Sequence, residues 1–401
     1  MDIAVKAVES PDELRRVNAL LASVHMDDPC IAGRWLETCG LSYPHFQQEH
    51  TRAAFLGKEV VGGLRLSTDT IRIGEARLRM GGLGWVTTVE HHRGKGVCSR
   101  LMNDAIEYMK GHGYHVSMLF GIPGFYHRWG YVTSLADYAV VADPAELRRF
   151  KNLWRVRLAK RGDIRAIQRL HNACDAATAC SLLRSAAHIS SKWDHEAKPH
   201  VLTDPQGKVL AYMYAICKDS HLAVLETGMA EPSLCEALAA AAADMAESEA
   251  AADIRFHGPP TSPMPRFLVG CRSRHETHFA RNAGGMVALI DTAETLEMMI
   301  PEWEALLLRS AAAAYRTEFT LFVKGAPYRV RANRGAIDVA RTAGKNKISL
   351  TQEDLIHLMT GYRNPEDILF AERRLVSPDA RDFFSTIFPR RSPYVWPFDR
   401  F

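Results

Sequence analysis

Apolar positions recur along this chain with two periods. From Ser10 to Val24 they fall at Leu14, Val17, Leu20, Leu21 and Val24, the three-to-four spacing of a helix with one buried face. Ser10-Pro-Asp-Glu13 starts that helix with a capping serine, a proline at the first helical position and a glutamate completing a capping box. Ile3 to Val8, just before it, reads as a strand. Period two takes over from Ala53 to Leu66, turning at Gly57-Lys58, and again from Thr70 to Met80, turning at Gly74-Glu75. A strand at 83–89 and a helix at 97–110 follow, the helix burying Leu101, Met102, Ala105, Ile106 and Met109 and ending at Gly111 or Gly113. Tyr114 to Phe120 is a further strand, parallel to the previous one if the helix is an ordinary crossover.

A second stretch, 151–290, echoes the first, 1–150. Val156-Arg-Leu-Ala-Lys-Arg-Gly-Asp163 repeats the spacing of Val5-Lys-Ala-Val-Glu-Ser-Pro-Asp12, and Val201 to Tyr214, turning at Pro205-Gln-Gly207, echoes the hairpin at 53–66. Where the first stretch has a glycine-rich turn, the second reads Glu226-Thr-Gly-Met-Ala-Glu-Pro-Ser233 and enters an alanine-rich helix. The third stretch, 291–401, differs. Short strands at 318–323, 328–332 and 336–340 precede helices started by Thr351-Gln-Glu-Asp354 and Ser377-Pro-Asp379. Four aromatic residues crowd its last eight positions, Tyr394 to Phe401, which suggests a docked tail.

Composition narrows the class. A length of 401 residues exceeds one ordinary domain, and 47% apolar with 24% charged residues is a soluble globular balance. A net charge of +4 against 50 basic and 46 acidic residues gives no reason to expect nucleic-acid or anionic-membrane binding. The apolar run Ala237–Met245 is too short to span a bilayer. Met1-Asp-Ile-Ala-Val-Lys6 lacks a signal-peptide pattern, and the eight cysteines contain no CxxC pair, so free thiols in a reducing cytoplasm are expected. No histidine spacing marks a metal site; His171 and Cys174 can share a helix face, but two ligands do not make a site, and no metal is expected.

The chemistry-bearing segment is Arg93-Gly-Lys-Gly-Val-Cys98, set between a strand and a helix. Successive N–H groups from Gly94 to Ser99 can cup an anion there, helped by the helix dipole. A Walker loop needs a longer gap before Gly-Lys-Ser/Thr, and a Rossmann turn needs a third glycine; both are missing.

The order of strand, Arg-Gly-x-Gly-x-x, amphipathic helix, strand and Tyr126-His-Arg-Trp-Gly-Tyr131 resembles the GNAT acyl-CoA N-acyltransferases. Their turn reads Gln/Arg-x-x-Gly-x-Gly/Ala; Arg93, Gly96 and Cys98 take its three positions, and the bulkier thiol is expected to loosen the pyrophosphate contact slightly. The whole chain resembles the "enhanced intracellular survival" acetyltransferases. That likeness implies an α/β (α+β mixed) fold of tandem GNAT domains, the first active (1–150) and the second degenerate (151–290), then a sterol-carrier-like α+β domain (291–401).

The resemblance implies acetyl-CoA as acyl donor, with no metal. It assigns Val86, Thr87 and Thr88 to main-chain bonds with the pantetheine arm. It assigns Arg93, Gly94, Lys95, Gly96, Val97, Cys98 and Ser99 to the pyrophosphate, and Gly121 and Ile122 to the same groove. Tyr126 matches the general acid; His127 is a rival by its ordinary pKa near 6.5, but the motif favours Tyr126. The α-carboxylate of Phe401 matches the base, weak at a free pKa of about 3.5 unless desolvated or relayed through water. Asp27, Asp28 and Trp35 match the amine-binding positions. Primary amines of aminoglycoside-like or polyamine-like kind, direct attack in a ternary complex and a homohexamer are likewise implied. Cys98, placed in the phosphate cradle far from the acyl end, is not expected to form an acyl-enzyme. Two alternatives stay open: an apolar-ligand-binding protein regulated by acetyl-CoA, and a scaffold degenerate throughout.

Overall fold

The computed structural model describes residues 3–25, 36, 40–370 and 377–401. They form two compact units, one of Met1–Ser134, Arg281–Arg391 and Phe401, the other of Leu135–Ala280 and Ser392–Arg400.

The chain begins with β1 (Ile3–Ala7), α1 (Pro11–His25), β2 (Thr51–Leu56), β3 (Glu59–Ile73), β4 (Ala76–Thr88), α2 (Val97–Gly111), β5 (Val116–Gly121) and β6 (Val132–Leu135). It continues through β7 (Asp137–Ala142), β8 (Arg155–Leu158), α3 (Ile164–Cys174), β9 (Lys198–Thr203), β10 (Val209–Lys218), β11 (His221–Met229), α4 (Cys235–Ser248), β12 (Asp253–His257) and β13 (Ser273–His278). β14 (Gly284–Leu289), β15 (Arg316–Val323), β16 (Ala326–Asn333), β17 (Ala336–Ala340), β18 (Lys347–Leu350), α5 (Gln352–Thr360) and α6 (Pro378–Ile387) complete it.

Two seven-stranded sheets share one plan. The first runs β1-β2-β3-β4-β5-β14-β6 and the second β8-β9-β10-β11-β12-β7-β13. In each the fourth and fifth strands are parallel and a helix, α2 or α4, connects them. The internal repeat is therefore visible in topology, with a reciprocal exchange: β14 pairs with β5, and β7 with β12. The two compact units change over at 134/135 and 280/281. Period two shows that a strand exists, not which sheet takes it, so the exchange was invisible to local patterning.

β15–β18 form a separate four-stranded sheet within the first unit. The short β18, pairing in parallel with β15, was not anticipated; only Ile348 and Leu350 of it are buried.

The two faces of the first sheet are set by alternation along β3. A β-carbon on Gly62 would lie 2.8 Å from Val97 of α2, and one on Gly63 would lie 3.0 Å from Val17 of α1. Leu64 and Leu66 join Leu101, Met102, Ala105 and Met109 in the α2 core, while Val17, Leu21, Ala53 and Phe55 make the α1 core. Each of the valine, leucine, methionine and phenylalanine side chains contributes roughly 1.5–3 kcal/mol on burial. α1 starts as expected, with Ser10 Oγ accepting from the Glu13 amide at 3.2 Å, but the Glu13 carboxylate reaches the Glu9 amide instead of closing on Ser10.

Candidate active site

The site belongs to the first unit and begins where a strand pair fails. β4 and β5 pair only at Met80–Val116, Gly81–Ser117 and Gly82–Met118. Ser117 Oγ donates to the Gly81 carbonyl at 2.6 Å and lies 2.7 Å from Tyr131 Oη, a buried link one pair before the strands part after Gly82–Met118. Beyond it the β5-facing edge of β4 is open, and an extended arm can add to such an edge as a strand would. β5 meanwhile is covered on its other side by β14.

The opening is sharpened by a bulge. β3 pairs Gly63 with Thr87 and Arg65 with Gly84, leaving Leu64 opposite both Trp85 and Val86. Trp85 carries a φ of 58°. A bulky residue there is strained, and the strain re-aims the backbone just where the resemblance places main-chain bonds from Val86, Thr87 and Thr88. Val86 and Thr88 are half-buried, and the buried Thr87 donates its hydroxyl to the Trp85 carbonyl at 3.1 Å.

The glycine loop follows β4. Gly94 and Gly96 have φ of 75° and 79°, and a β-carbon on either would meet nothing within 4 Å. Here glycine serves the left-handed backbone rather than close packing. Gly96 is the N-cap of α2 and supplies no side-chain cap, so the amides of Val97, Cys98 and Ser99 face an uncapped helix end. Arg93 and Lys95 are exposed beside them. This cradle fits a diphosphate: donors, a dipole and two cations, with no side chain filling it.

The Cys98 side chain, unlike its amide, turns toward the core. Half-buried, it packs against the α2 core together with Val86, Tyr126 and Trp129. A helix turns side chains of its second position inward here, which the loop motif alone did not reveal. Burial pushes its thiol up to about 11, with Arg128 pulling the other way.

Tyr126 opens the 3-10 turn Tyr126–Trp129, which closes on Gly130 at φ 82°. Its half-buried ring lies edge-on to Phe125 at 4.9 Å and to Tyr131 at 6.4 Å. Burial, and then the Cys98 thiol, push its phenol up to about 12, so it holds its proton at neutral pH. Gly121 backs this ring, whereas the Ile122 side chain and His127 are exposed.

Phe401 lies on the opposite face. Its carboxyl carbon sits over Gly84, its ring over Gly82, and Phe120 meets the ring edge at 5.9 Å. Gly82 and Gly84 share the α1 face with their cross-strand partners Ser67 and Arg65. The expected acid and base thus flank the β4–β5 opening from its two sides. Asp27, Asp28 and Trp35 lie outside the described residues.

Two clusters escaped sequence reasoning. Arg65 is buried, across the sheet from Gly84 and bonded to Asn18, where alternation alone gave only its face. Glu59, His91 and His92, far apart in sequence pattern, bring one ligand atom each within 4.8 Å at the base of the glycine loop. The expectation of no metal spacing overlooked this grouping because the hairpin register that unites it is not local. The one readable hint at the Phe401 seat was Gly81-Gly-Leu-Gly84, since glycines inside a strand mark close approach.

Residues 9–133 match the family model described as an acetyltransferase (GNAT) domain. No curated protein matches the sequence. Among solved structures, a probable N-acyltransferase from Enterococcus faecalis V583 aligns over 100% of both chains at 14% identity and TM-score 0.79. A GCN5-related N-acetyltransferase from Kribbella flavida aligns over 100% of this chain and 98% of its own at 19% identity and TM-score 0.75. Eis1 from Mycobacterium abscessus aligns over 100% of both at 17% identity and TM-score 0.66. At such identities the likeness speaks for the fold, and the domain match for the chemistry. This chain is an acyltransferase that carries a GNAT acetyltransferase domain.

Proposed function

We propose that the chain is an acetyl-CoA-dependent N-acetyltransferase acting on a primary amine of aminoglycoside-like or polyamine-like kind, by direct attack in a ternary complex. The observation that carries this reading is the parting of β4 from β5 beside the uncapped start of α2. When bound, acetyl-CoA supplies an activated acyl group as its thioester. The amides of Val97, Cys98 and Ser99 would hold the diphosphate, with Arg93, Gly94, Lys95 and Gly96 shaping the loop. The backbone of Val86, Thr87 and Thr88 would bond the pantetheine arm and polarise the acyl carbonyl. Gly121 and Ile122 would line the groove's other wall.

Tyr126 would give its phenolic proton to the departing thiolate, a role its raised pKa suits. Phe401, through its α-carboxylate, would take the proton of the attacking amine. Asp27, Asp28 and Trp35 would receive that amine. The Cys98 thiol, pushed up by burial and so held protonated at neutral pH, supports direct attack over an acyl-enzyme. The second sheet would be a copy without cofactor, supported by Tyr212, whose ring packs where a β-carbon on Gly228 would otherwise stand. The resemblance further supports a cytoplasmic homohexamer and a sterol-carrier-like C-terminal stretch.

The test is release of free thiol from acetyl-CoA across a panel of aminoglycosides, polyamines and simple amines. Saturable release with at least one primary amine is expected. Binding of acetyl-CoA without turnover of any amine, together with binding of an apolar ligand, would replace this reading with the regulated-binder alternative.

A further inference from the structure

The 3-10 turn Glu90–His92, just ahead of the glycine loop, stands at the start of β3. Val89 donates its amide to the Val61 carbonyl at 3.0 Å, one step beyond the last ladder pair, Gly62–Thr88. Continuing that register sets the turn opposite Val60 and Glu59. His92 is buried and His91 exposed, and their rings lie 4.4 Å apart, tilted by 50°. His91 Nε2 stands 3.9 Å from Glu59 Oε1. One ligand atom from each of the three residues lies within 4.8 Å of the other two.

The turn itself needs no histidine. The second sheet builds the same connection: the Ala230 amide donates to the Leu210 carbonyl at 2.9 Å, and a 3-10 turn leads into α4. That turn is Pro232-Ser233-Leu234. The grouping in the first unit is instead suited to a metal. Tetrahedral ligand atoms on bonds of about 2.0–2.1 Å stand roughly 3.3 Å apart. Drawing a spread of at most 4.8 Å in to that value takes movements of about 1.5 Å. The Glu59 and His91 side chains are 55% and 68% exposed, so both can swing toward His92, which burial fixes. Two imidazoles with one carboxylate select a borderline transition metal, since Mg²⁺ and Ca²⁺ call for oxygen ligands throughout.

We propose that Glu59, His91 and His92 form a three-ligand site for a divalent metal ion of the zinc class. Water takes the remaining coordination position. Bound there, the ion ties the start of β3 to the residue before Arg93, where the glycine turn opens. The site thus clamps one end of the loop from outside, through side chains that the acetyl transfer does not use.

The experiment uses the full chain without a histidine tag, stripped of metal by a chelator and titrated with ZnCl₂ in a calorimeter. Saturable binding of one ion per chain is expected. Glu59→Gln and His91→Ala should each weaken it at least tenfold, and the double variant His91→Ala/His92→Ala should abolish it. His278→Ala, which removes an exposed histidine of β13, should leave it unchanged. Co²⁺ should bind with a visible absorption band that the double variant loses. No saturable binding of Zn²⁺, or wild-type affinity in Glu59→Gln or in His91→Ala, overturns the site. Both of those positions are exposed, so the outcome does not depend on whether a His92 variant folds. Binding of Mg²⁺ as tight as that of Zn²⁺ overturns it as well, because imidazoles would then play no part. These readouts need neither acetyl-CoA nor turnover, so their failure is distinct from failure of the acetyltransferase reading.

Discussion

Gly121 and Tyr126 meet through a missing side chain: a β-carbon on Gly121 would stand 2.5 Å from Cδ2 of the tyrosine ring and 3.0 Å from Cε2. Gly121 lies at the end of β5, so the strand itself sets the depth at which the phenol sits. Gly121→Ala should push the ring outward and lower kcat at least tenfold while acetyl-CoA binds nearly as before. Tyr126→Phe, which removes the proton and keeps the ring, should lower kcat by about 10²–10⁴. Steady-state kinetics beside calorimetric acetyl-CoA affinity decides. Equal losses in kcat and affinity would make Tyr126 a packing residue.

Gly94 and Gly96 need positive φ but have open space around them. Alanine at either site therefore pays only for backbone conformation, about 1–2 kcal/mol. The loop conformation is the one that presents the α2 amides, so the cost should appear as weaker acetyl-CoA binding, about five- to thirtyfold, with little change in kcat at saturation. An affinity equal to wild type in Gly96→Ala would mean that the cofactor does not use this turn.

The same residues show what a sequence can carry. The hairpins turning at Gly57-Lys58 and Gly74-Glu75, the helix from Val97 and the capped helix from Thr351 are local in origin, and each forms where its pattern placed it. The glycine turn was legible because backbone conformation ties glycine to its position, whereas Tyr126 was singled out only through the family resemblance. Arg65, by contrast, sits in a strand whose alternation says only which face it takes. Its surroundings depend on Gly84 across the sheet and on Asn18 of α1, brought together by register and packing. The exchange of β7 and β14 between sheets is non-local in the same way.

Cys98 and Tyr126 are neighbours whose protons both stay on at neutral pH. Burial holds the thiol up at about 11, and burial with the thiol's influence holds the phenol up at about 12. An acid must be protonated to act, so raising its pKa moves the alkaline loss of activity upward. The fall in kcat assigned to Tyr126 should begin above about pH 10, and iodoacetamide at pH 8 should leave activity intact. Cys98→Ala should keep kcat within about twofold. A pH–rate limb between 8 and 9 that disappears in Cys98→Ala would show instead that a thiolate takes part.

In the second unit, Arg184 is the hub of a buried charge cluster. Nη1 and Nη2 donate to the two oxygens of Glu226 at 2.8 and 2.6 Å, while Nε and Nη2 donate to Asp399 at 2.8 Å each. Tyr212 Oη donates to Glu226 at 2.5 Å, and His171 Nδ1 lies 3.1 Å from the same oxygen. Arg184→Met would leave two buried carboxylates uncompensated and should cost about 3–5 kcal/mol in urea unfolding, followed by tryptophan fluorescence. Burial alone would push the Glu226 carboxyl up, but Arg184 and His171 hold it well below the usual carboxylate range. A depressed carboxylate stabilises fully above its unfolded pKa, about 4.3, and loses that contribution as pH falls below it. Wild-type stability should therefore drop more steeply between pH 5 and pH 3 than that of Glu226→Gln, which starts lower at pH 7. Parallel curves for the two proteins would mean that Glu226 gains nothing from its partners on folding.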